Sequence, residues 1–231
     1  MKIPNFYKIK FSEIQEYNHT PTEKVKFFFL SYIFAFIIMF IVLLLITMPM
    51  DFFVMKVLHF DSIKKTISPL KSFPHRYPFY LVVFISPFFE EILFRLALIL
   101  NKKNISIFIG LLVYVILGGK ISTFSIGNSS YIYFALIGLA ISSLTYFYLP
   151  QQTVDSLRKH CTHYLIKFSI LFFGLIHIAN ASVLHWELSL FYPFFVLPQI
   201  IMGYFITNLR LKYGFWWGYA LHVLFNAIGR I

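Results

Sequence analysis

The sequence predicts an all-α polytopic membrane protein with about seven transmembrane helices, and three observations carry that prediction. Of 231 residues, 59% are hydrophobic and only 13% are charged, against the ~25% charged residues of an ordinary soluble domain. Apolar runs near the length of a membrane span recur along the chain, separated by short polar or basic segments. The 30 Phe residues exceed what a soluble core of this size would bury, whereas lipid can receive their rings.

The net charge of +11 does not mark a nucleic-acid binder. Lys and Arg fall mainly between apolar runs, and no basic stripe carries the interleaved aromatics of an RNA-binding surface. Interfacial charge on a membrane protein accounts for them. The single Cys161 excludes an intrachain disulfide. No cleavable signal peptide is expected, because the polar lead from Met1 to Lys26 is too long and the first apolar run is of full spanning length.

Thr20-Pro21-Thr22-Glu23 offers a helix start. The first span is expected over residues 27–50, closed by Pro49 and Asp51. Residues 51–75 mix Lys56, Lys64, Lys65 and Lys71 with apolar side chains, the pattern of a segment lying in the interface. The second span covers 77–100 and precedes the polar turn Asn101-Lys102-Lys103-Asn104. The third, short by the usual rule, covers 105–117 and ends at Gly118-Gly119-Lys120. The fourth covers 130–149 and stops at Pro150. Residues 151–167 read as a polar, weakly helical connection, and the fifth span follows over 168–184. Trp186 to Tyr192 have interfacial composition. The sixth span covers 193–209, with Arg210-Leu211-Lys212 marking its end, and the seventh covers 215–228.

Two regions follow: residues 1–75, holding the polar N-terminus, first span and interfacial segment, and a membrane core over 76–231. With the N-terminus in the cytoplasm, twelve Lys and Arg fall on the inner side and seven on the outer. That bias favours an N-terminus in the cytoplasm. The short loops and high Lys and Ile content suggest a multi-pass protein of a bacterial cell membrane.

The chemistry concentrates in Phe88-Phe89-Glu90-Glu91-Ile92-Leu93-Phe94-Arg95, where three charges interrupt an apolar span. Each costs about 2.5–3.5 kcal/mol at a span's centre, so each needs a partner and usually a task. Glu90 lies roughly 15 Å from the inner end of its span at Leu100. His177 lies roughly 15 Å beyond Lys167, and His222 roughly 12 Å beyond Gly214. Three spans thus place ionisable groups at one level, approached from the same side.

Glu91 and Arg95 are four apart with Glu first, the favoured order for a helical ion pair. Glu90 points about 100° away around the helix and is free to face another helix. A carboxylate in an apolar site beside one already neutralised suits general-base work. The alternative is an ion-pair network that locks helices together. Phe173, His177 and Asn180 share or border one face of the fifth span; an intramembrane His is also often a packing residue. His222 and Asn226, four apart, could donate to one oxygen as an oxyanion hole requires, or form an interhelical clamp.

Two His and a Glu (Glu90, His177 and His222) would satisfy a catalytic zinc by ligand count. The helical His-Glu-x-x-His signature is absent and no Cys cluster compensates, so no cofactor is favoured. His59, His75, His160, His163 and His185 read as surface histidines.

Glu90-Glu91-x-x-x-Arg95, Phe173-x-x-x-His177 and His222-x-x-x-Asn226, in that order on separate spans, resemble the CPBP family. This family comprises CAAX prenyl proteases and bacteriocin-processing intramembrane endopeptidases, also called Abi proteins. Leu197-Pro198-Gln199 through Gly203 to Arg210-Leu211-Lys212-Tyr213-Gly214 also looks like the family. The resemblance covers about residues 79–228 and implies a buried conical active-site cavity. It implies Glu90 as the base that activates water, His177 as the residue that holds that water, and His222 with Asn226 as oxyanion donors. Glu91 and Arg95 would support them. The family is often labelled metalloprotease, but a metal-free, glutamate-dependent reaction is preferred for this chain. The expected substrate is a hydrophobic or lipidated, membrane-associated peptide or protein, with membrane lipid around it and no nucleic acid.

Two other classes compete. A non-catalytic immunity or scaffold protein would bind a peptide or protein partner and tolerate loss of Glu90, His177 or His222. A transporter or proton relay would show internal pseudo-symmetry, and none is visible between residues 27–120 and 130–228.

Overall fold

The computed structural model describes residues 20–64, 78–118, 129–181 and 183–230. Helix α1 (Pro21–Val42) starts as its sequence prescribes: Thr20 Oγ1 accepts from the Glu23 N–H, and the Glu23 carboxylate accepts from the Thr20 N–H. The helix does not stop at Pro49. It passes through one π turn, Leu43–Thr47, and continues as α2 (Met48–Lys56). Proline lacks an N–H and its ring crowds the carbonyl four residues back. The wider π turn, in which the Met48 N–H donates to Leu43 O, lets the helix run on past Pro49.

The same device recurs in the second apolar run. A π turn at Leu81–Ile85 precedes α3 (Ser86–Arg95), with Pro87 in its first turn and the Ser86 N–H donating to Leu81 O. A 3-10 turn, Leu96–Leu98, ends that run. Asn101 Oδ1 then caps α4 (Lys102–Ile116) through the Asn104 N–H. Helix α5 (Ser129–Tyr148) follows. Residues 151–167 are a full helix rather than a weakly helical connection. They form the first part of α6 (Gln151–Leu175), which a 3-10 turn extends over Ile176–Asn180. The fifth apolar run therefore ends at Asn180, short of the expected 184. After a 3-10 turn at Trp186–Leu188 come α7 (Tyr192–Phe195), α8 (Leu197–Tyr213) and α9 (Phe215–Arg230).

All of these elements are helical, and no strand occurs among the described residues. Among the described residues, three helical stretches are long and apolar enough to cross a membrane: Pro21–Lys56, Ser130–Tyr148 and Gln151–Asn180. Their share of buried residues is low, and Phe29, Phe36, Leu45, Tyr133, Leu139 and Phe168 are exposed. Outward-facing apolar surface on this scale suits lipid, not water. These features support a membrane protein. Of the expected interfacial segment, residues 51–56 belong to α2. Asp51 then ties the following chain by accepting from Ser62 Oγ at 2.7 Å and the Lys64 N–H at 3.2 Å. Residues 65–75 lie outside the described residues, as does His75.

Cross-contacts fix the directions of the helices. Phe27 of α1 meets Tyr213 at the end of α8. Leu98 clusters with Ile166 and Leu211, and Leu100 with Ile105 and Val154. Those residues mark one end of the bundle. Val82, Asn180, Leu197 and Gly229 lie toward the other. Gly214, at φ +100°, makes the turn between α8 and α9, a conformation glycine adopts without a Cβ penalty.

Helices α4 and α5 approach at Gly110 and Gly138, each backbone filling the space where the other's side chain would stand. A Cβ on Gly138 would fall 2.6 Å from the Gly110 carbonyl oxygen. Gly138→Val is expected to force the helices apart and cost about 1–3 kcal/mol. Denaturant unfolding in detergent checks it, with Gly229→Val, where a Cβ meets nothing within 4 Å, as the control.

Candidate active site

The second, fifth and seventh apolar runs do bring their polar groups together. Glu90 comes from α3, His177 and Asn180 from the 3-10 turn after α6, and His222 and Asn226 from α9. All five line one pocket of about 440 Å³. Glu91, Arg95 and Phe173 do not line it; they lie behind it and carry the residues that do.

Glu91 has two partners. Its Oε1 accepts from Arg95 Nη1, forming the expected i, i+4 ion pair, and also lies 2.9 Å from His222 Nδ1. Both contacts are buried, with Glu91 and Arg95 at 0% exposure and His222 at 1%. An ionised carboxylate only accepts, so Nδ1 of His222 carries the hydrogen in this contact. That leaves His222 Nε2 turned toward Glu90 Oε2, at 3.5 Å. The spacing of Glu91 and Arg95 showed the ion pair but not the bond to His222, because the latter depends on how α3 and α9 cross.

Glu90 is different. Its side chain keeps 21% exposure, and its Oε1 accepts from Ser86 Oγ at 2.7 Å. Ser86 sits one helical turn earlier, a spacing visible in the sequence though not singled out there. One carboxylate oxygen is therefore steadied by a hydroxyl, and the other faces the histidine.

Arg95 has partners besides Glu91, although its Nη2 makes no hydrogen bond among the described residues. Its Nε donates to Thr207 Oγ1 at 3.1 Å, and its guanidinium lies 4.1 Å from the centre of the Phe173 ring. Gly203 faces this group, and a Cβ there would stand 2.8 Å from Phe173 and 3.4 Å from Arg95 Nη2. Phe173 also touches both histidines, with its ring centre 5.1 Å from that of His177 and 5.4 Å from that of His222. It thus separates the ion pair from the pocket.

Arg210 departs from its expected place as an interfacial marker at the end of the sixth span. It is 1% exposed, and its Nε donates to Arg95 O at 2.8 Å. The Arg95 carbonyl stands at the start of the 3-10 turn, and Arg210 reaches it from α8. Sequence position alone could not distinguish this arginine from the basic residues beside it.

Asn226 Nδ2 donates to Val82 O at 3.0 Å. Val82 lies in the π turn, so α9 is clamped to the irregular turn of the second run. This is the interhelical clamp that the sequence left open. A carboxamide has two N–H hydrogens, and the clamp engages one of them.

Four polar residues outside the expected set join the pocket wall: Thr47 from the first π turn, Lys64, Ser86 and Gln199. Thr47 and Lys64 belong to the N-terminal region that the sequence motifs did not reach. Their link to the site depends on α1 packing against α8 and α9, for example Tyr32 on Phe225. His59, His160 and His163 are exposed, whereas His185 is partly buried, its ring 5.3 Å from that of Phe60.

For zinc, the donor atoms were tested as a ligand set. His222 Nδ1 is engaged by Glu91 and Glu90 Oε1 by Ser86. Among the described residues, no group of three His, Cys, Asp or Glu side chains is placed to hold a metal ion. The second donors of His222 and Glu90, Nε2 and Oε2, face each other at 3.5 Å.

The pocket also opens in a direction that the depth argument did not anticipate. Its wall runs from Glu90 back through Ser86 to Val82, and from His222 on to Gly229. It leads away from the ends at Leu100, Lys167 and Gly214. His177 is three residues from the end of its helical stretch at Asn180. No protein-family model, curated protein or solved structure matches the chain.

Proposed function

We propose that this protein is an intramembrane endopeptidase of the CAAX prenyl protease and bacteriocin-processing type, with about seven spans in a bacterial cell membrane. The observation that supports this reading best is the division of labour between two adjacent carboxylates. Glu91 is fully buried against Arg95 and His222, while Glu90 remains partly exposed in a pocket shared with His177, His222 and Asn226. A purely structural ion-pair network would have little use for an open carboxylate.

In the reaction, Glu90 takes a proton from a water held by His177, and the resulting hydroxide attacks the peptide carbonyl carbon. The second N–H of Asn226 donates to the tetrahedral oxyanion, and His222 does so when its Nε2 also carries a hydrogen. Glu90 then passes its proton to the departing nitrogen as the C–N bond breaks, giving one carboxylic acid and one amine and restoring the Glu90 carboxylate. Low water content around the pocket strengthens each of these electrostatic effects.

The test uses purified protein in lipid vesicles with a pool of prenylated and unmodified hydrophobic peptides. Mass spectrometry is expected to show new peptide termini. Peptides that bind and stay intact would instead favour the immunity or scaffold reading.

A further inference from the structure

The pocket has one open end and one barred end. Beyond Glu90 and His222, the bundle is filled by Glu91, Arg95, Phe173, Thr207 and Arg210, each at 0–1% exposure. The Arg210 guanidinium in turn lies 4.7 Å from the centre of the Phe215 ring. A polypeptide cannot pass through this plug. Among the described residues, the pocket wall continues the other way, past Val82, Thr47, Gln199 and Gly229.

The two ends differ in charge. At the barred end, Lys24, Lys26, Lys102, Lys103, Arg158 and Lys212 lie near the start of α1, the α3–α4 turn and the end of α8. Arg158 is fixed there by donating to Leu100 O at 2.7 Å. Described residues at the open end carry fewer, chiefly Lys56 and Lys64. In the expected seven-span arrangement the whole sequence divides twelve against seven, one of the twelve being the buried Arg210. Basic residues in short connections are retained on the cytoplasmic side.

From the plug and the charge bias together, we propose that the pocket opens on the extracytoplasmic face, so that its substrates are hydrophobic peptide segments presented from outside the cytoplasm. The substrate class rests on the protease reading above; the sidedness does not. The wall of the open end also holds polar side chains. Thr47 is 3% exposed, and neither its Oγ1 nor Gln199 Oε1 has a hydrogen-bond partner among the described residues.

Cysteine labelling tests the sidedness. In a Cys161→Ser background, Gly229→Cys reports the open end and Lys103→Cys the barred end, both positions being exposed. An impermeant maleimide added to sealed spheroplasts is expected to label Gly229→Cys and to reach Lys103→Cys only after permeabilisation. Labelling of Lys103→Cys first, equal labelling of the two, or no labelling of Gly229→Cys in sealed spheroplasts would overturn the sidedness. The peptide pool added outside sealed spheroplasts tests the substrate class, with cleavage expected there. Cleavage only after permeabilisation would overturn it. The expected labelling without cleavage of any peptide would defeat the protease reading and leave the sidedness standing.

Discussion

Glu90→Gln is expected to lower peptide hydrolysis by about 10²–10⁴-fold, the usual worth of a positioned general base. The substitution is nearly isosteric, and the Gln carbonyl can still accept from Ser86 Oγ, which now holds Glu90 Oε1 at 2.7 Å. Only the ability to take a proton from water is lost. Helix content and unfolding midpoint should stay close to those of the unmodified protein. The measurement is the rate of product formation in lipid vesicles beside an unfolding curve in the same detergent. Undiminished cleavage by a folded Glu90→Gln protein would sink the assignment of Glu90 as the base.

Arg95→Met should act on stability instead. It removes the cation from a carboxylate at 0% exposure and leaves Glu91 charged, buried and facing His222 alone. Breaking a buried pair from one side costs about 3–5 kcal/mol, mostly from the stranded charge. The Thr207 hydroxyl and the Phe173 ring lose their partner as well. The double variant Glu91→Gln with Arg95→Met should recover part of that loss, because no stranded charge remains. Its activity should stay low, since His222 no longer has a carboxylate at Nδ1. A single Arg95→Met variant as stable as the unmodified protein would show that the pair does not brace the bundle.

The contrast between these two variants shows which parts of the site could be read from the chain. The i, i+4 spacing of Glu91 and Arg95 gave the ion pair, because helical geometry alone brings such residues together. The 100° step from Glu91 to Glu90 gave the division between a paired and an open carboxylate. Residues at separations of 115 and 131, such as Arg210 with Arg95 and His222 with Glu91, meet only through helix crossings. Local patterns do not encode those crossings. Pro49 misled for a related reason: proline usually ends a helix, yet the π turn before it absorbs the clash. The apolar runs themselves were legible, with bounds off by a few residues. The polar stretch over 151–167 concealed a continuous helix that packs Val154 and Ile166 against the end of the bundle and leaves most of its polar residues exposed.

The π turn at Leu81–Ile85 also has a consequence for how this chain can vary. Each residue of an α-helix advances the side chains by about 100°, and a π turn holds one residue more than the regular turn it replaces. That surplus residue sets the angular phase of everything after it. Shortening the turn by one residue would leave composition and hydropathy almost untouched, yet would swing Glu90, Glu91 and Arg95 about a quarter-turn around the axis. Glu90 would leave the pocket and the ion pair would lose His222. The reading frame of the site is thus written in a stretch of five apolar residues that carries no functional group of its own.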